Sequence, residues 1–180
     1  MIRDVEGVLS TAKEIFKAKL RDYGMAWIIL RPTTLLDLLF IKAHRIRTIE
    51  EKGKQEVPDS IEDDFIGIIN YSIMTLMKLE CSDLSLNSSK ETVLDCYSKI
   101  TAKVIDLLNK KNSDYGDAWK LMLPTSFTDI ILMKILRLRS EIEKKGLTKE
   151  IAEAHLFDVI NYSIFAILTH KKQDGNNKNP

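Results

Sequence analysis

The chain has 180 residues, 27 basic and 26 acidic side chains, and a formal net charge of +1. That balance excludes the basic field that steers a protein onto nucleic acid, so no nucleic-acid partner is expected. Apolar residues make up 44% and charged residues 29%, ordinary values for a soluble globular chain long enough to bury a core. No signal peptide and no apolar run long enough to span a bilayer is read in it, so no membrane partner is expected. Cys81 and Cys96 form no CxxC pattern, which points to reduced thiols and a cytoplasmic setting.

Seven glycines and four prolines leave long uninterrupted stretches, and nothing alternates with period two. An all-α fold is expected. The first helix carries Val5, Val8, Ala12, Ile15 and Phe16 at helical spacing and ends at Gly24. A short turn brings Trp27 to Pro32. A second helix is expected from Thr34 to about Lys52, and a third from about Asp59 to Leu79. Residues 81–89 read as a linker, closed by Ser88-Ser89-Lys90-Glu91, a candidate capping box. A fourth helix places Tyr97, Ile100, Val104, Leu107 and Leu108 on one face and ends at Gly116. A turn with Trp119 leads to a helix from Ser126 to about Lys145, and the last runs from about Thr148 to Thr169. The polar tail, residues 171–180, is expected to be disordered.

The second half repeats the first. DYGMAW at Asp22–Trp27 returns as DYGDAW at Asp114–Trp119, 92 positions later. At the same offset Pro32, Asp37, Lys42, Arg45 and Arg47 fall on Pro124, Asp129, Lys134, Arg137 and Arg139. After a one-residue change, Glu62 falls on Glu153, and Asn70-Tyr71 on Asn161-Tyr162. Polar positions match as well as apolar ones, which shared helical composition would not produce. Residues 1–80 and 90–170 therefore read as two copies of a three-helix unit. Three helices bury little alone, so the copies are expected to form one domain, a pseudo-two-fold helical bundle with the second and third helices of both in the middle.

Several repeated polar residues invite a function. Lys42 and Arg45, with Lys134 and Arg137, follow a stretch that is apolar nearly all round, and a buried cation needs a partner. They are read either as ion pairs with the third helix or as an anion site, since K-x-x-R puts both cations on one face. Asp37 and Asp129 follow Thr34 and Ser126 by three residues and read as N-terminal capping groups. Asn70 and Asn161 interrupt apolar runs. The acids near them, Glu62 and Asp63 in one copy and Glu150, Glu153 and Asp158 in the other, are candidate magnesium ligands, because magnesium takes few, hard oxygen ligands shared with phosphate. The alternative is an asparagine pair across the pseudo-two-fold, with the acids bound to lysine and arginine. Tyr23, Trp27, Tyr115 and Trp119 are either core anchors or platforms for a nucleobase.

The order of these motifs resembles the nucleotide-modification-associated domain family. The residues that carry the resemblance are Asp114-Tyr115-Gly116 with Ala118-Trp119, then Lys134 and Arg137, then Asp158 with Asn161-Tyr162. The first copy matches from Asp22 to Tyr71, except that Gly67 stands opposite Asp158. More distantly the chain looks like the all-α nucleoside triphosphate pyrophosphohydrolases, the MazG-like and dimeric dUTPase-like group, which implies a magnesium-dependent, oligomeric protein, here a homodimer. It departs from that group in offering lysine and arginine where paired acids are the rule.

These readings together suggest a cytoplasmic protein that binds or processes a nucleotide or another triphosphate. Glu153 and Asp158 would act as catalytic and metal-binding acids. Lys134, Arg137, Asn161, Tyr115 and Trp119 would hold the ligand, with Lys42, Arg45 and Asn70 in the first copy. The rival is a non-catalytic helical interaction protein whose repeated charges pair with one another.

Overall fold

The computed structural model describes residues 2–176. The described residues form α-helices and two short 3-10 turns, with no strand. The helices are α1 (Ile2–Tyr23), α2 (Pro32–Lys52), α3 (Ile61–Glu80), α4 (Lys90–Tyr115), α5 (Pro124–Lys145) and α6 (Lys149–Asn176). The 3-10 turns, Ala26–Ile29 and Ala118–Leu121, each carry a tryptophan. The expected disordered tail divides: residues 171–176 continue α6, and 177–180 lie outside the described residues.

The helix ends follow from local chemistry. Gly24 and Gly116 sit at φ 61° and 58° and close α1 and α4, a backbone conformation that a Cβ disfavours. Pro32 and Pro124 open α2 and α5 two residues before the expected start. A proline suits the first turn, where its missing N–H has no helical partner to lose. The consequence is a correction: Asp37 and Asp129 lie beyond that turn and cap nothing. Asp37 pairs instead with Arg139, and Asp129 with Arg47 at 3.4 Å.

A full capping box opens α3. The Ser60 hydroxyl accepts from the Asp63 N–H at 3.1 Å, and the Asp63 carboxylate accepts the Ser60 N–H at 3.0 Å. Ser89 caps α4 through the Thr92 N–H at 3.1 Å, with Glu91 one residue short of the reciprocal position. Thr148 caps α6 by accepting the Ile151 N–H at 3.3 Å.

The central layer is α2, α3, α5 and α6, which pack most extensively on one another. Leu35, Leu39 and Ile46 of α2 meet Phe127, Ile131 and Ile135 of α5 in one continuous core with Ile69, Ile73, Ile160 and Ile164. The outer helices cross between copies, α4 lying on α3 and α1 on α6 as well as on their own units. The Asp37–Arg139 and Arg47–Asp129 pairs are images of each other under exchange of the copies, the signature of an isologous two-fold contact.

Three expectations change. Ile41, Met133 and Leu136 are exposed, so α2 and α5 are buried along one stripe and not all round. Cys81 and Cys96, expected to be free thiols, are joined in a disulfide that ties the end of α3 to α4. Lys149–Lys171 is long and apolar enough to cross a membrane by composition, contrary to the sequence reading, but most of it is buried in the protein. Its apolarity is that of a core helix packed on α3 and α5.

Candidate functional site

The duplication produces two grooves. The first, about 450 Å³, opens beside the end of α1 and the Trp27 turn; Lys19, Tyr23, Trp27, Gly67, Asn70 and Tyr71 are in its wall. The second, about 440 Å³, has Lys111, Tyr115, Trp119, Asp158, Asn161 and Tyr162 at the matching positions. Both volumes lie in the range of small-molecule sites.

The charges of the two walls are arranged differently. In the first copy Lys42 Nζ donates to Asp64 at 2.9 Å. Arg45 binds the other oxygen of the same carboxylate and donates to the Asp59 carbonyl at 2.9 Å. Asp64 is 5% exposed, so two cations answer one buried acid. The Lys42 stem crosses Gly67 so closely that a Cβ there would lie 2.5 Å from Lys42 Cε. Lys19 has no carboxylate partner among the described residues.

In the second copy the acid has moved one turn along, to Asp158. It takes Lys134 at 2.5 Å and Lys111 as well. Burial alone would raise its pKa, but the two ammoniums outweigh burial and hold it below the usual aspartate value. His155 stands opposite Asp64 and bonds Glu141 at 2.9 Å. Arg137, left without the acid that Arg45 has, is exposed and lies outside the groove wall.

The asparagines do not bond to each other across the axis. Asn70 Nδ2 donates to the Ala12 carbonyl at 3.0 Å, and Asn70 Oδ1 accepts from Tyr97 at 2.8 Å. Asn161 Oδ1 is buried without a partner among the described residues, as is Asn112 Oδ1 in the same groove. The cause is visible in the sequence: Tyr97 corresponds to Val5, which has no hydroxyl.

Tyr23 and Tyr115, read as either core anchors or nucleobase platforms, are each 75% exposed and line the grooves, so neither is a core anchor. Trp27 is half-buried and touches Phe16 edge-on at 6.2 Å. Trp119 is buried, with Phe165 stacked on it at 4.5 Å.

The sequence pattern of the family described as nucleotide modification associated domain 1 matches residues 19–79 and 111–169. The chain belongs to this family. No curated protein and no solved structure matches the chain. The two family segments begin at Lys19 and Lys111, equivalent lysines of the two groove walls.

Magnesium, implied by the pyrophosphohydrolase resemblance, needs converging oxygen ligands. Among the described residues no three acidic, histidine or cysteine side chains come together in that way. Glu153 faces Lys103 at 3.5 Å and Lys149 at 4.0 Å, while Asp158 faces Lys111 and Lys134. Glu62 pairs with Lys171 at 2.9 Å, Asp63 is held in the capping box, and Glu150 is exposed in the first turn of α6. The residues present do not fit a magnesium centre.

Sequence reasoning passed over three residues that shape these sites and a fourth, Glu80, outside both grooves. Lys19 and Lys111 lie 92 positions apart, so the repeat argument itself offered them. Tyr97 stood out only as an apolar-face residue. Glu80, caged by Lys99, Lys103 and Lys149 at 3.0, 2.5 and 3.1 Å, gave no signal, because its lysines come from different helices.

Proposed function

We propose that this protein binds nucleotides in its duplicated grooves and does not hydrolyse them through a magnesium centre of its own acids. The observation that carries the reading is the matched wall. A lysine, two tyrosines, a tryptophan and an asparagine recur at equivalent places around both grooves. Exposed tyrosine rings in the walls suit a nucleobase face. A lysine in each wall suits a phosphate. Membership of a nucleotide-modification family supports the same ligand class.

A thermal-shift panel of nucleotides and a pterin triphosphate, with and without magnesium, tests it. A ligand that binds only the folded state raises the melting temperature in proportion to RT ln(1 + [L]/Kd). At least one nucleotide should stabilise the parent protein, and the shift should shrink in Trp27→Ala. A panel in which no nucleotide moves the melting temperature at millimolar concentration sinks the proposal. The rival reading, a helical interaction protein, draws on the mutual pairing of Lys42, Arg45, Lys111 and Lys134 with Asp64 and Asp158, and that negative result would favour it.

A further inference from the structure

We infer that the first groove alone takes a phosphate group, on Lys19 and Lys42, and that the Asp158 carboxylate is the built-in substitute for that phosphate in the second. This rests on the nucleotide-binding reading and names its ligand more narrowly, as a nucleoside monophosphate.

The argument begins with one position. Asp158 projects a carboxylate between Lys111 and Lys134 and satisfies both. Its counterpart, Gly67, has no side chain. Lys19, the counterpart of Lys111, is therefore left without an anion, and Lys42, the counterpart of Lys134, runs across Gly67 to reach Asp64. Asp64 is shared with Arg45, so Lys42 and Arg45 divide one carboxylate between them and Lys19 has none. An anion entering this groove has both lysines in its wall, Lys19 on α1 and Lys42 where its stem crosses Gly67.

The rest of the wall agrees. Trp27 lines the first groove, and its buried Nε1–H has no acceptor among the described residues. Met74 stands where Phe165 covers Trp119 in the second copy. Two acids also line the first groove. Asp63 is one turn from Gly67, but its carboxylate is turned to the Ser60 N–H and hydroxyl at 3.0 and 2.7 Å. Asp59 is exposed ahead of α3. Two lysines match one phosphate group. The larger charge of a triphosphate would call for a metal ion, and the acids do not converge to hold one.

Tryptophan emission separates the two grooves, because the chain has two tryptophans, one in each wall. Trp119→Phe leaves Trp27 as reporter, and Trp27→Phe leaves Trp119. Each protein is titrated with inorganic phosphate, four nucleoside monophosphates and the parent nucleosides. Inorganic phosphate should change Trp27 emission saturably, with one site per chain, and leave Trp119 unmoved; at least one monophosphate should bind more tightly than its nucleoside at Trp27, and no more tightly than its nucleoside at Trp119. Lys19→Ala should weaken binding about tenfold or more, the loss expected of one charge-assisted contact, while exposed Lys17→Ala should not. Gly67→Asp, checked for folding by its melt, should weaken it as much by supplying the internal carboxylate. Phosphate binding that is equal in both grooves, or unchanged in Lys19→Ala, overturns the inference. If nucleosides bind as tightly as their monophosphates, the phosphate site is wrong and nucleotide binding survives. If no nucleotide binds, both fall.

Discussion

Tyr97 donates its phenolic hydrogen to Asn70 Oδ1 at 2.8 Å, and Val5 holds the pseudo-symmetric place of Tyr97. One hydroxyl thus decides that the two repeated asparagines live differently. Burial pushes the Tyr97 phenol above its ordinary pKa, so it remains a donor at every physiological pH. Tyr97→Phe should leave a buried amide oxygen unsatisfied and lower stability by about 1–3 kcal/mol in urea unfolding. Asn161 already carries that penalty. Asn161→Leu should therefore cost clearly less than Asn70→Leu. Equal losses from the two leucine variants would contradict the asymmetry.

The Asp37–Arg139 and Arg47–Asp129 pairs join residues far apart in sequence but related by the two-fold. Both acids are largely exposed, so each pair contributes little, about 0–1 kcal/mol. A double-mutant cycle between positions 37 and 139 should give a coupling of a few tenths of a kcal/mol, reduced in ~1 M salt. A capping aspartate would behave otherwise: Asp37→Ala would cost about the same whether or not Arg139 were present. Absence of any coupling at low salt would count against the interface.

Glu80 is 6% exposed. Burial alone would raise its pKa, but the ammoniums of Lys103, Lys99 and Lys149 outweigh that and hold it at about 2. The folded pKa is depressed, so its contribution is complete above the unfolded value of about 4.5 and is lost as pH falls towards about 2. Glu80→Gln should destabilise the protein at pH 7 on the order of 2 kcal/mol, since three lysines lose their buried counter-ion. The gap between parent and variant should close as pH falls from about 5 to about 2. A constant gap across that range would show that the cage does not set the titration.

The architecture was legible because it rests on local chemistry. Gly24 and Gly116 announced helix ends, helical spacing gave the core faces, and DYGMAW against DYGDAW exposed the duplication. What failed did so where a tertiary partner decided the matter. Asp37 fits the S/T-x-x-D pattern, yet Pro32 moves the helix start and Arg139 claims the carboxylate. Asp63 was chosen over Asp64 as a candidate ligand, but only packing shows that Asp64 is the residue beneath Lys42. The second copy looked the better equipped site because it holds both acids and cations. In three dimensions Asp158 binds Lys134 and Lys111, Arg137 lies outside the groove wall, and the groove lysine left without a carboxylate is Lys19 in the first copy.

Gly67 offers a separate test of the first groove through stability alone. Replacing an exposed glycine inside a helix by alanine removes backbone freedom from the unfolded chain and stabilises by about 0.5–1 kcal/mol. Gly7, in α1, is such a position, with nothing within 4 Å of the place a Cβ would take. Gly67 gains the same backbone term, but its new methyl would meet Lys42 Cε at 2.5 Å and Cδ at 2.6 Å. The neighbour is a flexible stem, so the chain would accommodate it by moving Lys42 away from Asp64. Asp64 would then keep Arg45 alone while remaining buried. Gly7→Ala should raise the urea midpoint, and Gly67→Ala should leave it unchanged or lower it. In the Lys42→Met background the displaced charge no longer exists, and the difference between the two alanine substitutions should narrow. If Gly67→Ala stabilises the parent as much as Gly7→Ala, the Lys42 stem does not need the open place that Gly67 provides.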